Sequence, residues 1–151
     1  MDSFDKRIIY ELQKDSKQTV KELASKVGLS PTPVHERVKK LERNGTISSY
    51  VALVKPVAVG LNLLAFCNVT LTQHRKEYLI RFEEEVILFK EVVECFHTAG
   101  NFDYILKIHV RDMEAYQSFI VNELADFEFI GKVESSFVMT TVKASTELPI
   151  E

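Results

Sequence analysis

The chain has 151 residues, enough for one ordinary domain or two small ones, and its 46% hydrophobic and 27% charged residues are those of a globular protein. No run reaches the roughly eighteen uncharged apolar residues of a membrane span. The start Met1-Asp2-Ser3-Phe4-Asp5 is too acidic for a signal peptide, so a soluble, cytoplasmic protein without membrane contact is expected.

The net charge of −3 conceals a division: residues 1–50 hold ten Lys/Arg against seven Asp/Glu, and residues 51–151 hold nine against fifteen. A basic module joined to an acidic one is expected. Phe4, Ile8, Ile9 and Leu12 recur at helical spacing and predict a first helix over residues 3–14. Thr19 and Glu22 form a capping-box pattern ahead of a second helix, with Leu23, Ala24 and Val27 as its buried stripe and Gly28 as its stop. Ser30 and Pro31 suit the cap and first position of a third helix, although Pro33 disfavours helical backbone at Thr32 and leaves later starts at Thr32 or Pro33 open. Val34, Val38 and Leu41 form its stripe, and Asn44-Gly45 ends it.

Two short helices joined by a tight Gly-containing turn make a helix-turn-helix; a plain three-helix bundle that binds nothing is the alternative. At 100° per residue, Thr32, Glu36, Lys39 and Arg43 fall opposite the stripe of the third helix, flanked by His35 and Lys40. Such a basic outward face suits the groove of double-stranded DNA, with Thr32, His35, Glu36 and Lys39 at base edges and Lys40 and Arg43 at phosphates. Ser30 joins this DNA-facing set. Arg37 falls beside the buried seam, where an ion pair to neighbouring helices and a base contact are both open.

Residues 46–54 are β-branched and partly alternating, and predict an extended strand; Lys55-Pro56 breaks it, and residues 57–60 fit one helical turn. Residues 46–60 therefore read as an ordered linker whose apolar content favours packing on another strand, of this chain or of a second one. Strands are expected at 63–71, 92–98, 104–110 and 130–142, and helices at 77–88 and after Asp112, the latter with Met113, Tyr116, Phe119, Ile120 and Leu124 along one side. That order is the ferredoxin-like βαββαβ unit, with both helices on one face of an antiparallel sheet. Its bare face carries residues such as Phe66 and Ile105, and a second subunit is its simplest cover. The fold class is thus α+β: a winged-type helix-turn-helix over residues 1–45, a linker over 46–60, and a ferredoxin-like domain over 61–151.

Enzymatic constellations are missing. There is no Gly-rich phosphate loop, no Cys/His metal pattern and no nucleophile elbow, so neither metal nor cofactor is expected. Cys67 and Cys95 read as two buried thiols, Glu83-Glu84-Glu85 as a solvated helix surface, and His97 and His109 as core or interface histidines.

Taken together, Asp5-Lys6-Arg7-Ile8-Ile9, Glu22-Leu23-Ala24, Gly28-Leu29-Ser30, Arg37-Val38-Lys39-Lys40-Leu41-Glu42, Gly45-Thr46-Ile47, Gly60, Thr98-Ala99-Gly100-Asn101-Phe102-Asp103-Tyr104, Val142-Lys143 and Leu148-Pro149 carry a resemblance in their order and spacing. From Phe4 to Pro149 the chain resembles the Lrp/AsnC, or feast/famine, family of transcriptional regulators. The resemblance implies a C-terminal domain for effector binding and oligomerisation, dimers that assemble into octamers, and an amino-acid effector between neighbouring dimers. It places the family's Gly-x-x-Asp turn at Gly100 and Asp103. On this reading the Gly100 and Asn101 amides meet the effector carboxylate and Asp103 pairs with the ammonium or holds the turn. Thr98 adds a hydroxyl, and Ser135 and Ser136 come from a neighbouring subunit. An ordinary β-turn at Gly100 and Asp103 is the alternative. Two other functions stand behind the regulator: a sirohaem-decarboxylase-like enzyme, a class similar to this family, using His97 and His109, and an architectural protein that bends DNA with little sequence preference.

Overall fold

Three helices build the N-terminal unit because each has a start signal and a narrow apolar stripe. The computed structural model describes residues 1–150. In α1 (Ser3–Lys14) the Asp2 carboxylate accepts the Asp5 N–H at 2.9 Å, and the Asp5 carboxylate accepts the Asp2 N–H at 3.3 Å. In α2 (Val20–Val27) Thr19 and Glu22 close the expected capping box, with Glu22 accepting the Thr19 N–H at 2.7 Å. Losing such a cap costs about 1 kcal/mol. Gly28 ends α2 at φ +76°, where a side chain would be strained. α3 (Pro31–Arg43) takes the earliest of the possible starts. Ser30 has cap geometry but its side chain makes no cap bond. The third helical position is Pro33, which has no N–H to donate.

The stripes meet, with Ile8, Leu23, Ala24, Val27, Val34 and Leu41 buried together, although Phe4 of the first stripe stays exposed. Asp5 is 3% exposed, the one buried charged residue among those described. Arg37 neutralises it. Its Nη1 lies 2.6 Å from Asp5 Oδ1 and 2.6 Å from Asp2 Oδ2, tying the start of α1 to the middle of α3. The chain rejoins this unit from Val142 onward. There the Gln13 amide takes both backbone groups of Leu148, accepting its N–H at 2.7 Å and donating to its carbonyl at 3.2 Å.

The second unit, residues 54–141, contains β1 (Leu63–Leu71), α4 (Lys76–Val86), β2 (Val92–His97), β3 (Tyr104–Val110), α5 (Met113–Asn122) and β4 (Ile130–Phe137). The strands lie in the order β2-β3-β1-β4, every pair antiparallel, which is the expected βαββαβ arrangement. Ala65, Cys67, Val69 and Leu71 of β1 and Tyr104, Leu106, Ile108 and Val110 of β3 are buried with Phe82, Val86, Tyr116 and Phe119 of the helices. The residues between them point to the opposite face, because strand side chains alternate.

Several boundaries differ from those expected. Residues 46–54 form no strand; no strand of the described chain pairs with them, and Tyr50, Val51, Leu53 and Val54 are exposed. β-branched composition extends a backbone, but a strand also needs a neighbour to bond. Residues Pro56–Val59 make one 3-10 turn, closed by Gly60. β4 stops at Phe137, not at 142, since its partner β1 begins at Leu63 and offers only one further acceptor, the Leu64 carbonyl, to Val138 N–H. α4 ends at Val86 and leaves Ile87 and Leu88 exposed; Leu124 is buried, but from a 3-10 turn beyond α5.

Replacing Arg37 with Ala should strand the Asp5 carboxylate and lower the stability of the N-terminal unit by about 1–3 kcal/mol. Urea unfolding measures the loss, and faster hydrogen exchange in α1 and α3 locates it. The sign with pH follows from Asp2, which the Asp5 amide and then Arg37 hold below the usual carboxylate range. A carboxyl depressed in the folded state stabilises above its unfolded value, and this contribution disappears as pH falls through the folded one. The deficit of the Arg37→Ala variant should therefore shrink in acid.

Candidate DNA-reading and effector sites

α3 presents two chemically distinct sides. Val34 and Leu41 are buried, while Thr32, His35, Glu36, Lys39, Lys40 and Arg43 are exposed together on the far side, with Ser30 exposed just ahead of them. Lys39 Nζ lies 2.9 Å from the Glu42 carboxylate, one turn on. An exposed pair of this kind is worth under about 1 kcal/mol and exchanges readily for another anion. Arg37 is not part of the outward set, being engaged by Asp2 and Asp5.

In the second unit the turn between β2 and β3 gathers four of the six expected effector residues: Thr98, Gly100, Asn101 and Asp103. Gly100 has φ +152°, a conformation that favours glycine. Thr98 turns its hydroxyl inward, donating to the Phe102 carbonyl at 2.8 Å. The Gly100 and Asn101 N–H groups make no backbone hydrogen bond among the described residues. Asp103 is the hub of the turn. Its Oδ2 accepts the Leu71 N–H at 2.7 Å, its Oδ1 lies 2.7 Å from His74 Nε2, and its backbone N–H donates to the Val69 carbonyl at 2.9 Å. The carboxylate thus binds the end of β1 to the start of β3. His74 was absent from the sequence expectations. Its partner lies 29 residues away, and an exposed histidine in a loop gives no periodic signal.

Ser135 and Ser136 do not join this turn within the chain. They stand near the end of β4, paired with Cys67 and Phe66 of β1, whereas Asp103 bonds at the other end of β1. They also face opposite sides of the sheet. Ser135 accepts the Tyr116 hydroxyl of α5, and Ser136 shares the open face with Phe66.

The same alternation separates the histidines. His97 stacks on buried Tyr104 at 4.8 Å, and the Tyr104 hydroxyl donates to Glu83 at 2.9 Å, all on the helix side. His109 pairs with Leu64 on the open side, where burial and then Lys107 hold its pKa below the ordinary value. The two rings do not converge on one ligand. Among the described residues, no group of three or more His, Cys, Asp or Glu is placed to hold a metal ion, and no helix is long and apolar enough to cross a membrane. Cys67 is buried and Cys95 half-buried; burial pushes both thiols up to about 11, so both stay protonated near neutral pH.

Comparison with known proteins agrees with this architecture over the length of the chain. A family model described as the AsnC-type helix-turn-helix domain matches residues 1–42, and one described as the Lrp/AsnC ligand binding domain matches residues 64–148. The leucine-responsive regulatory proteins of Escherichia coli K12 and Klebsiella pneumoniae are each 38% identical over all of this chain and 92% of their own length. Among solved structures, a Neisseria meningitidis transcriptional regulator in complex with L-Met superposes with a TM-score of 0.94 at 35% identity, covering 99% of this chain and 96% of its own. An AsnC-family regulator from Agrobacterium tumefaciens also gives 0.94, at 42% identity and with 99% and 97% covered. With its helical unit and its sheet unit both matched, and in that order, the chain belongs to the Lrp/AsnC family of transcriptional regulators.

Proposed function

We propose that this protein regulates transcription by reading duplex DNA with α3 and that an amino acid, bound in the sheet unit, modulates it. The observation that carries the DNA reading is the two-sided α3. Arg37 is engaged in the fold, while Thr32, His35, Glu36, Lys39, Lys40 and Arg43 stand exposed on a helix fixed from behind by α1 and α2. A recognition helix reads base edges with its N-terminal part and phosphates toward its ends. Thr32, His35, Glu36 and Lys39 accordingly read bases, and Lys40 and Arg43 hold the backbone. The amino-acid reading is supported by the turn at Gly100–Asp103, which offers amide N–H groups beside a carboxylate, and by the L-Met complex of the Neisseria regulator.

The working form is a homodimer at least. Phe66 and Phe96 are exposed on the open sheet face, and Tyr50, Val51, Leu53 and Val54 are exposed along the linker. A consecutive run of exposed apolar residues marks a surface that another chain covers. Residues 46–54 supply strand-forming side chains without a strand beside them, which a second copy provides, and further assembly to an octamer follows the family.

Two measurements test this. Selecting binding sites from random duplexes, then replacing Lys39 with Ala, should reduce discrimination between selected and random DNA by about 1–3 kcal/mol. Replacing Arg43 should instead weaken binding to both and lower the slope of affinity against salt by roughly one phosphate contact. Equal affinity of the unaltered protein for selected and random duplexes would leave only DNA bending or packaging. For assembly, light scattering at micromolar concentration should give at least twice the 17.3 kDa of one chain. Replacing Val51 and Leu53 with Ser should shift that mass toward one chain.

A further inference from the structure

The Asp103 carboxylate has two partners of unequal permanence. Leu71 N–H is a backbone donor at the buried end of β1, whereas His74 is a side chain 67% exposed, on a loop residue whose one hydrogen bond among the described residues is this contact. Asp103 itself is only 14% exposed, and the imidazole stands directly against Oδ1 at 2.7 Å. An exposed ion pair or hydrogen bond of this sort contributes little to stability and is readily exchanged. On the same turn, the Gly100 and Asn101 N–H groups make no backbone hydrogen bond among the described residues. A free α-amino acid carries an ammonium to replace the imidazole and a carboxylate to meet those amides.

We propose that His74 is a displaceable gate on the effector site: it occupies Asp103 Oδ1 in the free protein and gives it up to the ammonium of the entering amino acid. His74 is thereby an affinity-setting residue that competes with the effector. This rests on the amino-acid reading of the Gly100–Asp103 turn. Leu71 N–H stays on Oδ2 throughout, so the turn keeps its shape during the exchange.

Calorimetric titration with L-leucine and with L-methionine tests it on the full chain and on His74→Ala, His74→Phe and Asp103→Asn variants. Both His74 variants should bind the effective amino acid about three- to tenfold more tightly, the range set by loss of one competing hydrogen bond. In the unaltered protein, saturation with that amino acid should shift the His74 ring resonances in NMR spectra, and Asp103→Asn should abolish binding. Unchanged or weaker binding by His74→Ala and His74→Phe, with Asp103→Asn inactive, overturns the gate and leaves the effector site standing. Normal binding by Asp103→Asn, or binding of neither amino acid by the unaltered protein, overturns the site itself and the gate with it.

Discussion

A β-strand cannot send neighbouring side chains to the same side, and the sheet unit is organised by that rule. On β1 and β3 the odd residues of one strand and the even residues of the other lie under α4 and α5, from Ala65 to Leu71 and from Tyr104 to Val110. Everything between them is turned away from the helices. The helix side therefore closes into an aromatic core, with Phe82 against Tyr104 at 4.5 Å and Phe89 edge-on to Phe119 at 5.5 Å. The other side retains Phe66, Phe96 and Lys107, with no layer of the sheet unit over them among the described residues. Lys107 meets the Glu94 carboxylate there at 2.6 Å, so the open face is mixed, apolar with a charge pair set in it.

The helical unit solves a different problem with one arginine. A helix that is to present a basic face must still be held firmly by its other side, and α3 contributes few large apolar residues to that side. Arg37 supplies the missing attachment by bonding two carboxylates at the start of α1. It serves two purposes, because Asp2 and Asp5 also cap α1. Helix capping and helix packing thus share the same two carboxylates, one oxygen of each for the cap and the other for Arg37, and the positive charge most central to α3 is neutralised within the fold. The charge left facing outward comes from Lys39, Lys40 and Arg43, toward the C-terminal half of the helix, where basic side chains also suit the helix dipole.

Much of this was legible in the sequence wherever the determinants were local. The Thr19–Glu22 box, the Gly28 stop and the stripe of Val34, Val38 and Leu41 each lie within a few residues, and the strand and helix order follows from period alone. The wheel position of Arg37 put it at the seam, though its partners lie 32 and 35 residues upstream. What stayed illegible depended on a neighbour. Residues 46–54 and 138–142 have strand-like side chains, but the first have no strand beside them and the second run past the beginning of β1. Ser135 and Ser136, adjacent in sequence, look like one pair of hydroxyls until the pleat assigns them to opposite faces. The engagement of Asp103 by Leu71 and His74 is likewise a matter of register, invisible to any count of spacing.

The chain returns to the helical unit at Val142. The sheet unit is, in effect, an insertion: the chain leaves the helical unit after Leu53 and re-enters it some ninety residues later. The two units are therefore joined by two stretches of chain. The second tether is secured by Gln13, which grips Leu148 only by its backbone N–H and carbonyl. Such a contact is indifferent to the side chain it holds. The side chain at position 148 is thus free to change chemically while the grip of Gln13 persists.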